Sequence, residues 1–397
     1  MITEIRKAFN ETFKQKSYEA CLNDIEQAYP KALDFRIAET PIFIEKKFYE
    51  KMMSVSKFII DFIKSENFIA LTDDAIPVHE KVKNESQYPH FLSLDFGICK
   101  NDDGELYPGL IEMQGFATLY GFQVLYPEIL EKHLEIPDGF SHFFNGLDKE
   151  AYLKELGQVI VGNADPKEVI ILEIKPHSQK TRIDFYCTET YLGIKTICLT
   201  EIHQEGKNLF YFLNGIKTQI KRIYNRIIFD ELNALKDELG PIPDLTSDLN
   251  VEWVGHPNWF YRISKYTLPF LRHPFIPETF FLNEVKQIPQ DLENYVLKPL
   301  FSFAGQGVII DLKKADLEQI ENPSNWILQK KVNYADCIET PDEPAKAEIR
   351  LMYSWKDGDA EPKLLTNLAR VSKGKMIGTR YNKDKKWVGG TVAYFKL

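Results

Sequence analysis

The sequence predicts a mixed α/β and α+β protein in which a parallel, Rossmann-like layer is joined to antiparallel sheets. Three observations carry this. Residues 168–174 (EVIILEI) are almost wholly apolar, as in a strand buried on both faces. Between residues 168 and 239 such runs alternate with helix-patterned stretches, which is the pattern of a parallel layer. From residue 293 onward, six strand-like runs (ENYVLKPL, QGVIIDL, NWILQKKV, AEIRLMYSW, PKLLTNLARVS and WVGGTVAYF) follow one another between turn signals.

Taken in order, residues 1–85 read as helical, with Ile44, Phe48, Met52, Val55 and Ile59 at the steps of one helical face. HFLSLDFGICKND and ELYPGLIEMQGF flank an N-D-D-G turn from Asn101 to Gly104, the local signal for a β-hairpin. A helix is expected over residues 121–133 and another over 181–192, ending at Gly193 with Thr181 as a candidate N-cap. KTICLTEI, LFYFLNG and KTQIKRIYNRI add strands, and IIFDELNALKDEL adds a helix. The Pro- and Asp-rich loop 240–250 is the best candidate boundary. The expected units are a helical region over 1–87, a hairpin and helix over 88–135, the Rossmann-like layer over 150–250, and a C-terminal domain over 251–397.

The 397 residues suit two to three domains. The 27 Phe and 19 Tyr supply enough apolar surface to exclude intrinsic disorder. A net charge of −9 argues against a general nucleic-acid binder. From Lys346 onward, however, twelve Lys/Arg face five Asp/Glu, which suggests a local anionic ligand or else a solvated basic face. The five cysteines are scattered and never spaced C-x-x-C, as expected of reduced thiols in a cytoplasmic protein. No signal peptide is visible, and the apolar stretch 109–130 is too interrupted by Glu, Gln and Pro to span a membrane.

The most informative segment is VLKPLFSFAGQGVII, residues 296–310. Lys298 ends one apolar strand, a loop with Gly305 and Gly307 follows, and a second apolar strand begins at once. Glycines let backbone N–H groups face a phosphate, and the lysine supplies a point charge. Alone, the motif is also what an ordinary hairpin shows. Upstream stand Lys265 and then Ile276-Pro277-Glu278-Thr279; downstream, NWILQKKV ends in Gln329, Lys330, Lys331 and Val332. In this order the parts resemble the nucleotide site of ATP-grasp enzymes. The resemblance implies that Lys265 and Lys298 contact the phosphates of ATP. It further implies a lid over residues 302–307 (Ser302, Gly305, Gln306, Gly307) and an adenine-holding hinge formed by Gln329, Lys330, Lys331 and Val332.

Such a site takes Mg²⁺, a hard cation that prefers oxygen ligands and bridges ATP phosphates. No E-x-N pair follows the hinge, where only Glu348 and Asn367 are candidates. The upstream hairpin instead carries Asp95 on one strand and Glu112 and Gln114 on the other, with alternation placing the last two on one face. This order resembles the circularly permuted ATP-grasp enzymes, glutathionylspermidine synthetase and eukaryotic-type glutathione synthetase, and implies that Asp95, Glu112 and Gln114 hold the metal. Two differences stand out. The amide is Gln114 where those families have Asn, and Ser93 occupies the position of an arginine that stabilises the transferring phosphoryl group. Arg350, Arg370 or Arg182 would have to replace that charge.

Two further polar clusters are candidates. Arg350, Arg370, Lys373, Lys375 and Arg380 form a basic group that suits phosphate or carboxylate, or else a salt-bridge ladder. Glu173, His177, Gln179, Lys180, Arg182 and Asp184 lie in and after a strand-to-helix loop of the parallel layer, where α/β proteins bind ligands, and Asn225 and Arg226 are expected in the same crevice. The resemblance implies a ligase that joins a small-molecule carboxylate to an amine or thiol through an acyl phosphate, releasing ADP and phosphate. A phosphotransferase and a catalytically silent nucleotide-binding protein are the alternatives, and neither nucleic acid nor membrane is expected as a partner.

Overall fold

The computed structural model describes residues 2–301, 306–375, 377 and 382–397. Helices α1 (Thr3–Thr12) and α2 (Gln15–Ala28) bury Phe9, Tyr18, Cys21 and Ile25. Strand β1 (Ile42–Ile44) leads into α3 (Lys46–Ile63), whose Phe48, Met52, Val55 and Ile59 make the buried stripe expected from their spacing. Ile44 does not belong to that stripe. Glu45 is extended, so Ile44 is a strand residue paired with Phe395. A short helix, α4 (Phe68–Thr72), follows.

The hairpin forms as its turn signal requires, from β2 (Phe91–Lys100) and β3 (Leu106–Gln114). Helix α5 (Phe122–His133), the two-residue β4 (Phe140–Ser141) and α6 (Lys149–Ile160) lead to the parallel layer. That layer comprises β5 (Val169–Glu173), α7 (Arg182–Leu192) and β6 (Lys195–Cys198), then β10 (Arg222–Asn225), α8 (Phe229–Leu239) and β11 (Glu252–Val254). Its four strands run parallel in the order β11-β10-β5-β6. β11 lies beyond the 240–250 loop yet is the outer strand of this sheet, so the layer extends to Val254. A separate antiparallel ribbon, β7 (His203–Glu205), β8 (Asn208–Leu213) and β9 (Ile216–Ile220), is inserted between β6 and β10. Gly193 ends α7 in the left-handed conformation that glycine adopts without strain, whereas Thr181 makes no side-chain cap bond.

After α9 (Pro257–Arg262), strands β12 (Thr279–Phe281), β13 (Tyr295–Pro299) and, beyond α10 (Lys314–Glu318), β14 (Trp326–Lys330) form an antiparallel sheet in the order β12-β14-β13. The apolar QGVIIDL run is not a strand. Only Ile309 bridges to Leu297, and Leu312 drops into a small core with Leu297 and Leu328. The chain closes with β15 (Lys346–Ser354), β16 (Lys363–Ser372), β17 (Gly389–Thr391) and β18 (Ala393–Lys396), the last of which pairs with β1.

The five-stranded sheet β17-β16-β15-β2-β3 positions the site, because it unites the upstream hairpin with strands from the end of the chain. Leu92, Leu94, Phe96 and Ile98 of β2 and Ile349, Leu351 and Tyr353 of β15 anchor it in one large core. A second core packs α2, α5, α6 and α7 around β5, and a third fills the other side of the parallel layer. Among the described residues no helix is long and apolar enough to cross a membrane.

Candidate functional site

Strand alternation places every second residue of the five-stranded sheet on one side. Asp95 pairs across β2 with Glu112 on β3 and Arg350 on β15, while Glu348 pairs with Arg370 on β16. The result is a dense ion cluster. The Arg350 guanidinium grips Asp95 with two parallel bonds, Nε to Oδ1 and Nη2 to Oδ2, both 2.6 Å. Arg370 Nη2 donates to Asp95 Oδ2 and also meets Glu348 Oε2, each at 2.9 Å. Glu112 Oε1 lies 3.7 Å from Arg350 Nη2 and accepts from Gln114 Nε2 at 2.8 Å. The Tyr334 hydroxyl donates to the other Glu348 oxygen.

Asp95, Glu112 and Gln114 therefore share a face, but not as an open trio of metal ligands. Both Asp95 oxygens are taken by guanidinium groups, and Asp95 is 1% exposed. Glu112 is the half-buried carboxylate of the cluster. Among the described residues no group of three or more His, Cys, Asp or Glu side chains is placed to hold a metal ion by itself.

The two lysines reach the same cluster from other elements. Lys265 is buried at the start of the short helical turn after α9, and burial lowers its ammonium against the pull of Glu112 and Asp230. Lys298 on β13 donates to Gln329 Oε1 at 2.6 Å, and Gln329 in turn donates to Thr279 Oγ1 at 3.0 Å. Burial pushes Lys298 down to about 8, with Glu112 and Glu348 pulling upward and Lys265 pushing further down. Glu348 is pushed up by its burial and by Asp95 and Glu112, against Arg370 and Tyr334. For Asp95, burial is outweighed by Arg350 and Arg370, which hold the carboxyl below its ordinary range.

The remaining expected residues divide. Lys331 and Val332 lead from the end of β14 onto the hairpin: Lys331 N–H donates to Asn294 O at 2.8 Å, and Val332 lies over Gly109. Lys330 is exposed, and its N–H bonds Glu278 O. Gln306 and Gly307 form an exposed turn, with Gly307 at a φ of 74°. Ser302, Gly305 and Arg380 lie outside the described residues.

Arg182 is not at the cluster. It opens α7 and donates to Asp34 and to the Lys31 and Gln179 carbonyls, tying the parallel layer to the N-terminal helices. Asn367 is also absent, because it pairs with Leu351 and so faces the opposite side, bonding His142 O and Ala393. Lys373 and Lys375 form ion pairs with Asp342 and Asp311 away from Asp95. Tyr334 is the residue that motif reasoning missed. It carries no charge and belongs to no spaced motif, so its one signal is its position two residues after the hinge.

A second polar group sits where β5 and β10 end, the point at which strand order reverses in the parallel layer. Arg226, 6% exposed, has Nε and Nη1 without a hydrogen-bond partner among the described residues and lies over the rings of Phe116 (5.1 Å) and Phe185 (5.6 Å). Beside it burial pushes Glu173 up to about 8, against Arg226 and the Ile174 N–H. Tyr120 feels both Arg226 and Arg350, so the two groups are electrostatic neighbours. Several loop residues have structural duties instead. Asp184 Oδ1 accepts the Gly121 and Phe122 N–H groups at the head of α5, Gln179 bonds Glu231, and His177 bonds Tyr186.

No protein-family model and no curated protein matches this chain. Among solved structures it is similar to the apo form of a glutathione synthetase-like effector from Globodera pallida, with a TM-score of 0.56 at 12% identity. The similarity covers 96% of this chain and 97% of that one, so it extends over the whole architecture. The chain has a glutathione synthetase-like fold.

Proposed function

We propose that the chain is a circularly permuted ATP-grasp ligase that uses ATP and Mg²⁺ to join a small-molecule carboxylate to an amine or thiol through an acyl phosphate. The carrying observation is the convergence of Lys265, Lys298, Arg350 and Arg370 with Asp95, Glu112 and Glu348, drawn from segments far apart in the chain. These four cations stand against the three carboxylates and, beside Lys265, against Asp230; the side-chain donors they gather in one place suit a polyphosphate. In this reading residues 88–135 and the region beyond 254 form the nucleotide part, and residues 150–254 form the substrate part.

The donor set suits a cation that arrives on the nucleotide, since Mg²⁺ is normally held by one or two carboxylates plus phosphates. Glu112, the half-buried carboxylate, would hold it together with the Gln114 amide beside it, while Asp95 and Glu348 are taken up by the arginines and Tyr334. Bound Mg²⁺ supplies charge neutralisation between phosphate groups. Lys265 and Lys298 neutralise phosphate oxygens, and the segment from Gln329 to Val332 lies at the adenine end. Arg350 and Arg370, locked by Asp95 and Glu348, present fixed positive charge to the transferring phosphoryl group. Arg226 has unused donors at the crevice of the parallel layer and holds the substrate carboxylate. Phosphoryl transfer needs positioning and charge more than a nucleophilic side chain, and the cluster offers those two things.

The test is calorimetry with ATP and Mg²⁺ on wild type, Lys298→Ala and Glu112→Ala, followed by phosphate release with carboxylate and amine or thiol pairs. ATP binding that weakens in Lys298→Ala and loses its Mg²⁺ dependence in Glu112→Ala is expected, with ADP and phosphate appearing only when both substrates are present. A wild-type protein that binds no nucleotide refutes the proposal. One observation favours a second reading, a silent nucleotide-binding protein. Ser93 replaces the arginine of the related enzymes, and Arg350 is already committed to Asp95. That reading predicts ATP binding with no ADP from any substrate pair.

A further inference from the structure

We propose that Tyr334 is a positioning residue that couples the adenine end of the nucleotide site to the charge cluster at the phosphate end, by fixing Glu348 and, through it, Arg370. The inference rests on the nucleotide reading above and adds to it the element that links the two ends.

The link is a strap that leaves β14 and crosses onto the hairpin. Lys331 N–H bonds Asn294 O at 2.8 Å, Lys100 N–H bonds Asn333 O at 2.9 Å, and Ala335 N–H bonds Ile98 O at 2.9 Å. Directly beneath it, Gly97 and Gly109 are cross-strand partners. Two paired glycines leave a trough in an otherwise side-chain-covered face. A Cβ on Gly97 would stand 2.7 Å from Tyr334 Cε1, and one on Gly109 would stand 3.2 Å from Val332 Cγ1. The Val332 and Tyr334 side chains thus drop into space that only glycine leaves, and the strap has one seating.

From that seating the Tyr334 hydroxyl reaches Glu348 Oε1. Glu348 Oε2 meets Arg370 Nη2 at 2.9 Å, and the same nitrogen donates to Asp95 Oδ2 at 2.9 Å. A phenol hydroxyl against a carboxylate oxygen is the donor of the pair, so the bond runs from Tyr334 to Glu348. A continuous path then runs from the residues beside adenine through Tyr334, Glu348 and Arg370 to Asp95 and Arg350. A buried carboxylate held by two donors on different elements keeps one orientation, and removing one donor frees it.

Tyr334→Phe keeps the ring in the trough and removes only the hydroxyl. Calorimetry with Mg²⁺ compares AMP, which engages only the adenine end and first phosphate, with ATP. ATP affinity is expected to fall about tenfold, as for losing a hydrogen bond to a charged group, with AMP affinity unchanged. Glu348→Gln should lower ATP affinity similarly, and the double variant should lose no more than the worse single one. Equal losses for AMP and ATP, no loss at all, or additive losses in the double variant would each overturn the proposal. If wild type does not prefer ATP to AMP, the nucleotide reading itself fails. If wild type does prefer it and Tyr334→Phe is unchanged, only the role of Tyr334 fails.

Discussion

Asp95→Asn separates two roles for the most buried carboxylate of the cluster. In the anchoring role, Asp95 compensates Arg350, which is 8% exposed and gripped by two 2.6 Å bonds. Removing one partner of such a buried pair costs about 3–5 kcal/mol, because the charge left behind is uncompensated. Arg370 adds little, since its side chain is 35% exposed and keeps Glu348. For 397 residues the unfolding entropy is roughly 0.8 kcal/mol/K, so the melting midpoint should fall by about 4–6 °C. The assay is scanning calorimetry at pH 7 without nucleotide or metal, and Asp95→Asn/Arg350→Met should recover part of the loss. The linkage gives a second readout. The Asp95 carboxyl is held below its ordinary range, so its stabilisation is complete above the unfolded value of about 4 and is lost as pH falls. The variant should therefore lose less stability on acidification than wild type. A metal-free midpoint within 1 °C of wild type would refute the anchoring role, because a carboxylate that serves only as a metal ligand has no partner to abandon.

Three other outcomes follow from the same geometry. Burial holds Lys298 at about 8, so it is largely neutral at pH 9 in the free protein. ATP should then bind more weakly above pH 8 and with proton uptake, read from binding heats in buffers of different ionisation enthalpy; Lys298→Met should abolish the uptake, and its persistence would exclude Lys298 as the proton acceptor. Gly97→Ala puts a methyl 2.7 Å from a ring atom that the paired strap holds in place, which should cost about 1–3 kcal/mol and lower ATP affinity. Unchanged ATP affinity would show that the strap need not be seated. Glu173, held at about 8 by burial, keeps a proton that the unfolded chain has released above about pH 4.3. Stability should consequently fall as pH rises from about 4 to 8, and Glu173→Gln should remove that slope in pH-dependent melting; identical slopes would refute it.

What the sequence made legible was local. The N-D-D-G turn with alternating apolar residues specified the hairpin, and the wholly apolar run 169–172 specified a strand covered on both faces. The errors have a shared cause, which is that period and composition do not say what lies opposite. Ile44 extends the spacing of α3, but Glu45 is extended and gives Ile44 to a strand. QGVIIDL is apolar enough for a strand, yet its residues fill a small core beside β13 and leave a single bridge. Asn367 and Arg370 are three apart on one strand, and an odd separation sends them to opposite faces. Alternation alone would have shown this once β16 was accepted as a strand.

The position of Arg350 shows why the charge beside Asp95 was harder to find than Asp95 itself. A search along the chain looks for an arginine two residues before Asp95, where the next same-face side chain of the strand stands, and finds Ser93. A sheet, however, is a two-dimensional lattice. The cross-strand partner has its Cβ about 5 Å away, closer than the i−2 neighbour on the same strand. Arg350 occupies that partner position on β15 and bonds Asp95 across a separation of 255 residues. The physical requirement is a guanidinium within reach of one carboxylate, and either lattice position satisfies it. Moving the charge across the strand does alter its presentation, because a cross-strand arginine meets Asp95 edge to edge with both donors engaged. The guanidinium left free to meet an incoming phosphate is therefore chiefly that of Arg370, whose half-buried side chain is shared between Asp95 and Glu348. On this argument turnover, if the site performs it, should depend more steeply on Arg370 than on Arg350, while stability should show the reverse order. Equal losses of phosphate release in Arg350→Met and Arg370→Met, with equal melting midpoints, would refute that division of labour.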